Sequence, residues 1–188
     1  RSSAGKGVIL LSAHYCGIRV GKRYLAANGY PTLSVRDEFL EEKSLGRMRR
    51  RMLDPRRIEF LRSILGETVF VQDRDCTLKI LQRLRSGGLV NIHFDGRSGK
   101  KNARWPFLGV SRDFAIGPLD LARLSGCAVV PMACTGNAAG FRLRFGPPIE
   151  ITYESEREEF VRANLPGFVS AIEAQVREYP EEWEQWMT

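Results

Sequence analysis

The sequence predicts an α/β protein: a single domain over residues 1–188, with a mixed, largely parallel sheet flanked by helices. Three observations carry this. Short aliphatic runs bounded by glycine alternate with stretches of helical period along the chain. No internal repeat and no low-complexity linker divides it. At 188 residues and 43% hydrophobic content, the chain has apolar material for one sizeable core, and two full domains would be cramped.

The elements follow in order. Gly7-Val8-Ile9-Leu10-Leu11-Ser12 is an aliphatic run typical of a buried strand, and Gly17 to Asn28 after it turns helical. His14 therefore stands at a strand's carboxyl end, just before a helix, where open α/β sheets bind ligands. Asn28-Gly29 signals a turn into a short strand, Pro31 to Arg36, with Arg36 at its exit. Glu41 to Leu53 is a charged helical stretch with Arg47, Arg49, Arg50 and Arg51 crowded together; it reads equally as a solvated face or as an anion contact. Thr68 to Val71 is a third strand. Asp73 or Asp75 is placed to cap a helix from Cys76 to Arg85 that buries Leu78, Leu81 and Leu84, and Gly87-Gly88 stops it. Leu89 to Phe94 is a fourth strand, emptying into the cationic, glycine-rich loop Asp95-Gly96-Arg97-Ser98-Gly99-Lys100-Lys101.

Beyond that loop, Trp105 to Gly109 reads as a turn or short edge strand, because Pro106 cannot donate to a ladder. Gly117-Pro118 opens a helix through Leu124, ended by Ser125-Gly126. Ala128 to Cys134 and Phe141 to Phe145 are strands joined by a hairpin loop over residues 136–140. Glu154 to Glu178 predicts a terminal helix or a helix pair broken near Pro166-Gly167.

Charge and composition bound the partners. A net charge of +7 favours anionic ones: nucleic acid, anionic lipid headgroups or an acidic carrier protein. Nucleic acid ranks last, since the arginines of residues 47–57 lack interleaved stacking aromatics. The four cysteines form no C-x-x-C pair and there are only two histidines, so a metal site is not expected and reduced thiols in the cytoplasm are. No apolar run reaches the roughly 18 residues that a membrane span needs. The chain opens on Arg1 rather than methionine, so a preceding segment is expected to be missing, and an N-terminal anchor is one thing it could hold.

Several chemistries drop out. There is no G-x-S-x-G elbow and no G-x-G-x-x-G after the first strand. Gly99-Lys100 lacks both the earlier glycine and the following Ser/Thr of a phosphate loop.

The order of the motifs, however, is similar to that of a known family. Strand-end His14, Val35-Arg36, the run Leu84 to Gly88 followed by Asp95-Gly96-Arg97, Phe107-Leu108-Gly109, Gly117-Pro118 with Leu121-Ala122, and Val129-Val130-Pro131 resemble the lysophospholipid acyltransferase superfamily. The bacterial lipid A biosynthesis (lauroyl/myristoyl) acyltransferase branch is the nearest in pattern. Tyr179-Pro180-Glu181-Glu182-Trp183-Glu184-Gln185-Trp186 resembles the closing Pro-x-x-Trp-x-x-Trp signature of that branch.

The resemblance implies an acyltransferase-like fold. It further implies transfer of a fatty acyl group from an acyl carrier protein or coenzyme A thioester to a lipid or glycolipid hydroxyl, or to an amine. The setting would be peripheral, on the inner face of the cytoplasmic membrane, at its anionic surface. The thioester is then a co-substrate, and no cofactor is expected. In the family a histidine followed after four residues by Asp or Glu forms the base and its orienter. His14 matches the histidine, but Arg19 stands where the acid should be. An arginine there cannot orient imidazole or stabilise imidazolium. Three outcomes stay open: Asp95 substitutes for the missing acid, His14 works alone, or the site is inactive and the domain only binds acyl chains, carrier protein or membrane. Arg36 and Arg97 match headgroup or phosphate contacts, which a guanidinium fork suits, and Phe107 and Gly109 would border the acyl chain.

Overall fold

The computed structural model describes residues 6–36, 66–96 and 101–184. Arg97 and the basic stretch of residues 47–57 lie outside the described residues. Six strands form the main sheet. They are β1 (Val8–Ser12), β2 (Thr32–Arg36), β3 (Thr68–Phe70), β4 (Leu89–His93), β7 (Ala128–Asn137) and β8 (Gly140–Phe145), in the spatial order β3-β2-β4-β1-β7-β8. All neighbours run parallel except the β7–β8 hairpin, so the sheet is mixed and largely parallel.

The central place of β1 explains its sequence. A strand paired on both edges and covered on both faces must be apolar at every position, and Ile9, Leu10 and Leu11 are all buried.

Helices cover both faces. Cys134 of β7 meets Gly21 of α1 (Ile18–Ala27), where a Cβ would lie 3.0 Å from the Cys134 Cβ. Its strand neighbour Ala133 points the other way, into a cleft shared with Gly167 and Ala171 of α4 (Arg157–Glu178). Successive side chains of a strand face opposite sides, so α1 and α4 lie on opposite faces. Beside α4 pack α3 (Gly117–Ser125) and then α2 (Cys76–Arg85). Arg157 clasps Asp120 with both guanidinium arms, at 2.8 and 2.5 Å, tying the start of α4 to the start of α3.

A separate antiparallel ribbon, β5 (Asn102–Phe107) and β6 (Val110–Ala115), packs against α4. It adds Phe107 and Phe114 to an aromatic chain: Phe94 to Phe168, Phe94 to Phe114, Phe114 to Phe107, and Phe107 to Trp183, with centroids 5.3 to 5.8 Å apart. Rings at this spacing hold one another in offset or edge-to-face packing.

Several expectations need correction. The ribbon was anticipated only as far as Trp105 to Gly109; its second strand, carrying Ser111, Arg112 and Asp113, has too little apolar alternation to stand out. On α2 the buried side is Cys76, Ile80 and Leu84, while Leu78 is 54% exposed. Asp75 is at the N-cap position but makes no capping bond; its carboxylate pairs with Lys79 instead, at 2.9 Å. Of the two readings of residues 154–178 the single helix holds: α4 runs unbroken through Pro166. Proline costs the helix one N–H bond and crowds the carbonyl four residues earlier, and the buried Asn164 reinforces this stretch by donating to the Phe160 carbonyl at 2.8 Å and the Thr152 carbonyl at 2.7 Å. The β7–β8 connection is shorter than the expected five-residue loop, because β7 continues to Asn137 and β8 starts at Gly140.

Candidate active site

Strand register builds the site. In the β1–β4 pair Ser12 faces His93, so two residues further along each chain His14 comes level with Asp95. The approach is a direct contact: His14 Nδ1 donates to Asp95 Oδ1 at 2.6 Å, and the His14 backbone N–H donates to Asp95 Oδ2 at 2.8 Å. The indole N–H of Trp183 donates to the same Oδ2 at 2.6 Å. Three donors thus converge on one carboxylate that solvent does not reach.

The electrostatics follow from that count. Burial pushes the Asp95 carboxyl up, but hydrogen bonds and charge from His14, aided by the Trp183 N–H, outweigh it and hold it below the ordinary carboxylate range. The site keeps an ionised carboxylate against the imidazole. The His14 side chain is 29% exposed, so solvent reaches part of it while Asp95 fixes its Nδ1 from inside.

A second histidine lies beneath the first. His93 stacks on His14 with ring centroids 4.2 Å apart, and its Nδ1–H donates to the Ala13 carbonyl at 3.1 Å. Burial, with the neighbouring His14 next, holds its pKa down to about 3, so His93 is a neutral imidazole at any physiological pH. Below it Asn91 donates to Ser12 Oγ and to the Leu10 carbonyl, both at 3.0 Å. The ligand atoms of His14, His93 and Asp95 come within 4.8 Å of one another, which is the spacing of a metal site. Both Nδ1 atoms are spent as donors and Asp95 accepts three hydrogen bonds, so what each imidazole still offers a partner is its Nε2 lone pair.

The remaining predicted residues are spread around this pair. Gly96 is next to it, since a Cβ there would be 3.6 Å from His14 Cε1. Arg36, at the exit of β2, acts electrostatically on Lys22, as does the exposed Arg19. Lys22 donates to Ser34 Oγ at 2.8 Å, and burial followed by those two guanidinium groups lowers its pKa to about 8. Phe107 is buried and packs edge-on against Trp183. Gly109 occupies the β5–β6 turn with φ +83°, after Leu108 at +52°.

Sequence reasoning passed over His93 and Trp183. The first had a readable signal: on the exit of β4, residues 93 and 95 share a face, so a histidine there had to lie beside whatever Asp95 meets. The second stood out only as part of the closing tryptophan signature, because nothing local says that a residue 88 positions away returns to Asp95.

With the geometry in place, comparison with known proteins gives a consistent answer. The model of the family described as bacterial lipid A biosynthesis acyltransferase matches residues 1–187. That family is one of acyltransferases, and the mostly parallel sheet flanked by helices is consistent with an acyltransferase-like fold. The chain is a member of the bacterial lipid A biosynthesis acyltransferase family. Among curated proteins no match is found.

Proposed function

We propose that this chain, as a single domain over residues 1–188, moves a fatty acyl group from an acyl carrier protein or coenzyme A thioester to a hydroxyl of a lipid or glycolipid, with an amine as a variant acceptor. The observation that carries the reading is the 2.6 Å bond from His14 Nδ1 to the buried Asp95. It supplies, from another strand, the carboxylate that the position of Arg19 lacks.

The chemistry runs through His14. With Nδ1–H fixed on Asp95, Nε2 takes the acceptor's proton as its oxygen attacks the thioester carbonyl. Asp95 stabilises the imidazolium that forms. The tetrahedral intermediate collapses to the ester, and the proton passes from His14 to the departing thiolate. Backbone N–H groups from Gly96 onward, or those near Gly109, would receive the oxyanion. Arg36 and Arg97 would hold phosphate or headgroup oxygens, and Phe107 and Gly109 would border the acyl chain. The thioester is a co-substrate; the reaction asks for no metal and no other cofactor. No described helix is long and apolar enough to cross a membrane. We place the action at the inner face of the cytoplasmic membrane, the chain resting peripherally on its anionic surface.

Incubation with labelled acyl carrier protein and coenzyme A thioesters and a lipid extract tests this. His14→Ala should lower transfer by about 100- to 10,000-fold with the fold intact. Asp95→Asn should be comparably damaging, and Arg19→Glu should help little. Transfer that survives His14→Ala rejects the mechanism; absent transfer with retained acyl-chain or carrier-protein binding supports a binding domain instead.

A further inference from the structure

We propose that the C-terminal segment is the third part of this catalytic centre, with Trp183 as the positioning residue that fixes Asp95 for His14. The proposal rests on the His14–Asp95 reading and adds to it.

Its basis is how much of the local structure is spent on aiming one indole. Trp183 is 5% exposed, and its N–H is one of two donors to Asp95 Oδ2. Its ring is held edge-on to Phe107, centroids 5.8 Å apart, with the Arg112 guanidinium 5.4 Å above it. The backbone around it is clamped to the catalytic loop: Trp183 bridges Tyr15, and Glu184 N–H donates to the His14 carbonyl at 2.9 Å. One residue earlier, the Glu182 carboxylate receives the Gly136 N–H at 2.8 and 3.0 Å, pinning the segment to the end of β7.

A packing residue would need none of this polar aim. A carboxylate between two chain segments has a rotation about its Cβ–Cγ bond to lose. The His14 N–H and the Trp183 N–H meet on Oδ2 from different parts of the chain, which leaves Oδ1 turned to His14 Nδ1. Without the indole donor, Oδ2 keeps a single bond and the carboxylate gains freedom to swing away from the imidazole. The effect falls on the step in which His14 accepts a proton rather than on substrate capture, because Trp183 is shut off from solvent.

The test uses the whole chain with acyl-coenzyme A and acyl carrier protein thioesters and a lipid extract. Trp183→Phe keeps an aromatic ring against Phe107 and removes the N–H together with the five-membered ring, so the comparison between backgrounds separates the lost donor from the lost packing. It should lower kcat by about 10- to 100-fold, the range for a lost bond to a charged acceptor, with KM for the thioester within about 2-fold. In an Asp95→Asn background the same change should cost less than about 3-fold, since its target is already altered. Equal losses in both backgrounds, an unchanged kcat, or a loss confined to KM overturns the proposal. If His14→Ala and Asp95→Asn themselves leave transfer intact, the underlying site reading fails, and the proposal with it. Should Trp183→Phe not fold, the Trp183 indole N–H resonance in 15N-labelled protein decides. It should lie downfield of the Trp105 resonance and move upfield in Asp95→Asn; an unmoved resonance overturns the proposal.

Discussion

At residue 19 the sequence breaks the family's pattern, and the structure shows why that break need not remove the carboxylate from the histidine. A partner at position 19, four residues intervening after His14, would come from the first turn of α1. Asp95 comes instead from the exit of the neighbouring strand, and its 2.6 Å contact is as close as a local partner could make. Arg19 is an exposed residue whose charge acts on Lys22 in company with Arg36. The His93 imidazole leads to a pH prediction. Its folded pKa of about 3 lies below the ordinary value of 6.5, so below that value the unfolded chain binds a proton that the folded chain refuses. Stability is therefore fully present above about pH 6.5 and is lost as pH falls toward 3. Between pH 7.5 and pH 5 the wild type should lose about 1 to 2 kcal/mol more than His93→Asn, which keeps a donor for the Ala13 carbonyl but cannot titrate. Urea unfolding at the two pH values measures it, and equal losses would show that His93 charges freely in the folded state.

At the scale of elements, the question is what holds α1 and the His14 loop against the sheet. The start of α1 lies so close to β7 that a Cβ on Gly17 would be 2.3 Å from the Cys134 carbonyl oxygen. No L side chain tolerates that separation from backbone. Gly17→Ala should push the helix start off β7, costing about 2 to 3 kcal/mol in denaturant unfolding and lowering acyl transfer by displacing His14. Gly29→Ala is the control for a general glycine effect, since its φ of +86° brings backbone strain but a Cβ there meets nothing within 4 Å. Stability losses of the same size in both, with transfer unchanged, would remove the positional argument. What the sequence disclosed about elements follows the same physics. Buried parallel strands read clearly because both faces must be apolar, as in Val8 to Leu11. The β5–β6 ribbon did not, since Arg104, Arg112 and Asp113 sit in it at partly or largely exposed positions. The terminal helix was legible in its apolar spacing, but Pro166 reads locally as a break and only the Asn164 bonds to Phe160 and Thr152 reveal how that turn is reinforced.

For the whole molecule, the candidate site was half legible. His14 and Asp95 each announced themselves at a strand exit, but their meeting depends on β4 lying beside β1, a strand order that no local pattern encodes. Trp183 depends on a chain return over 88 positions and was out of reach. Charge, by contrast, is a property of the sequence as a whole, and it carries the last prediction. A net charge of +7 should draw the chain to an anionic surface, where each Lys or Arg close to the lipid contributes on the order of 1 kcal/mol. Residues 49–51, three consecutive arginines, are the densest source of that charge. The triple change Arg49→Gln, Arg50→Gln and Arg51→Gln should weaken cosedimentation with vesicles containing anionic phospholipid by about 10-fold or more at low salt, while zwitterionic vesicles bind both forms poorly. Raising sodium chloride toward 0.3 M should erase most of the difference, because screening then shortens electrostatic reach well below about 10 Å. Wild-type affinity in the triple variant at low salt would assign those arginines to a solvated face and move the membrane contact elsewhere on the chain.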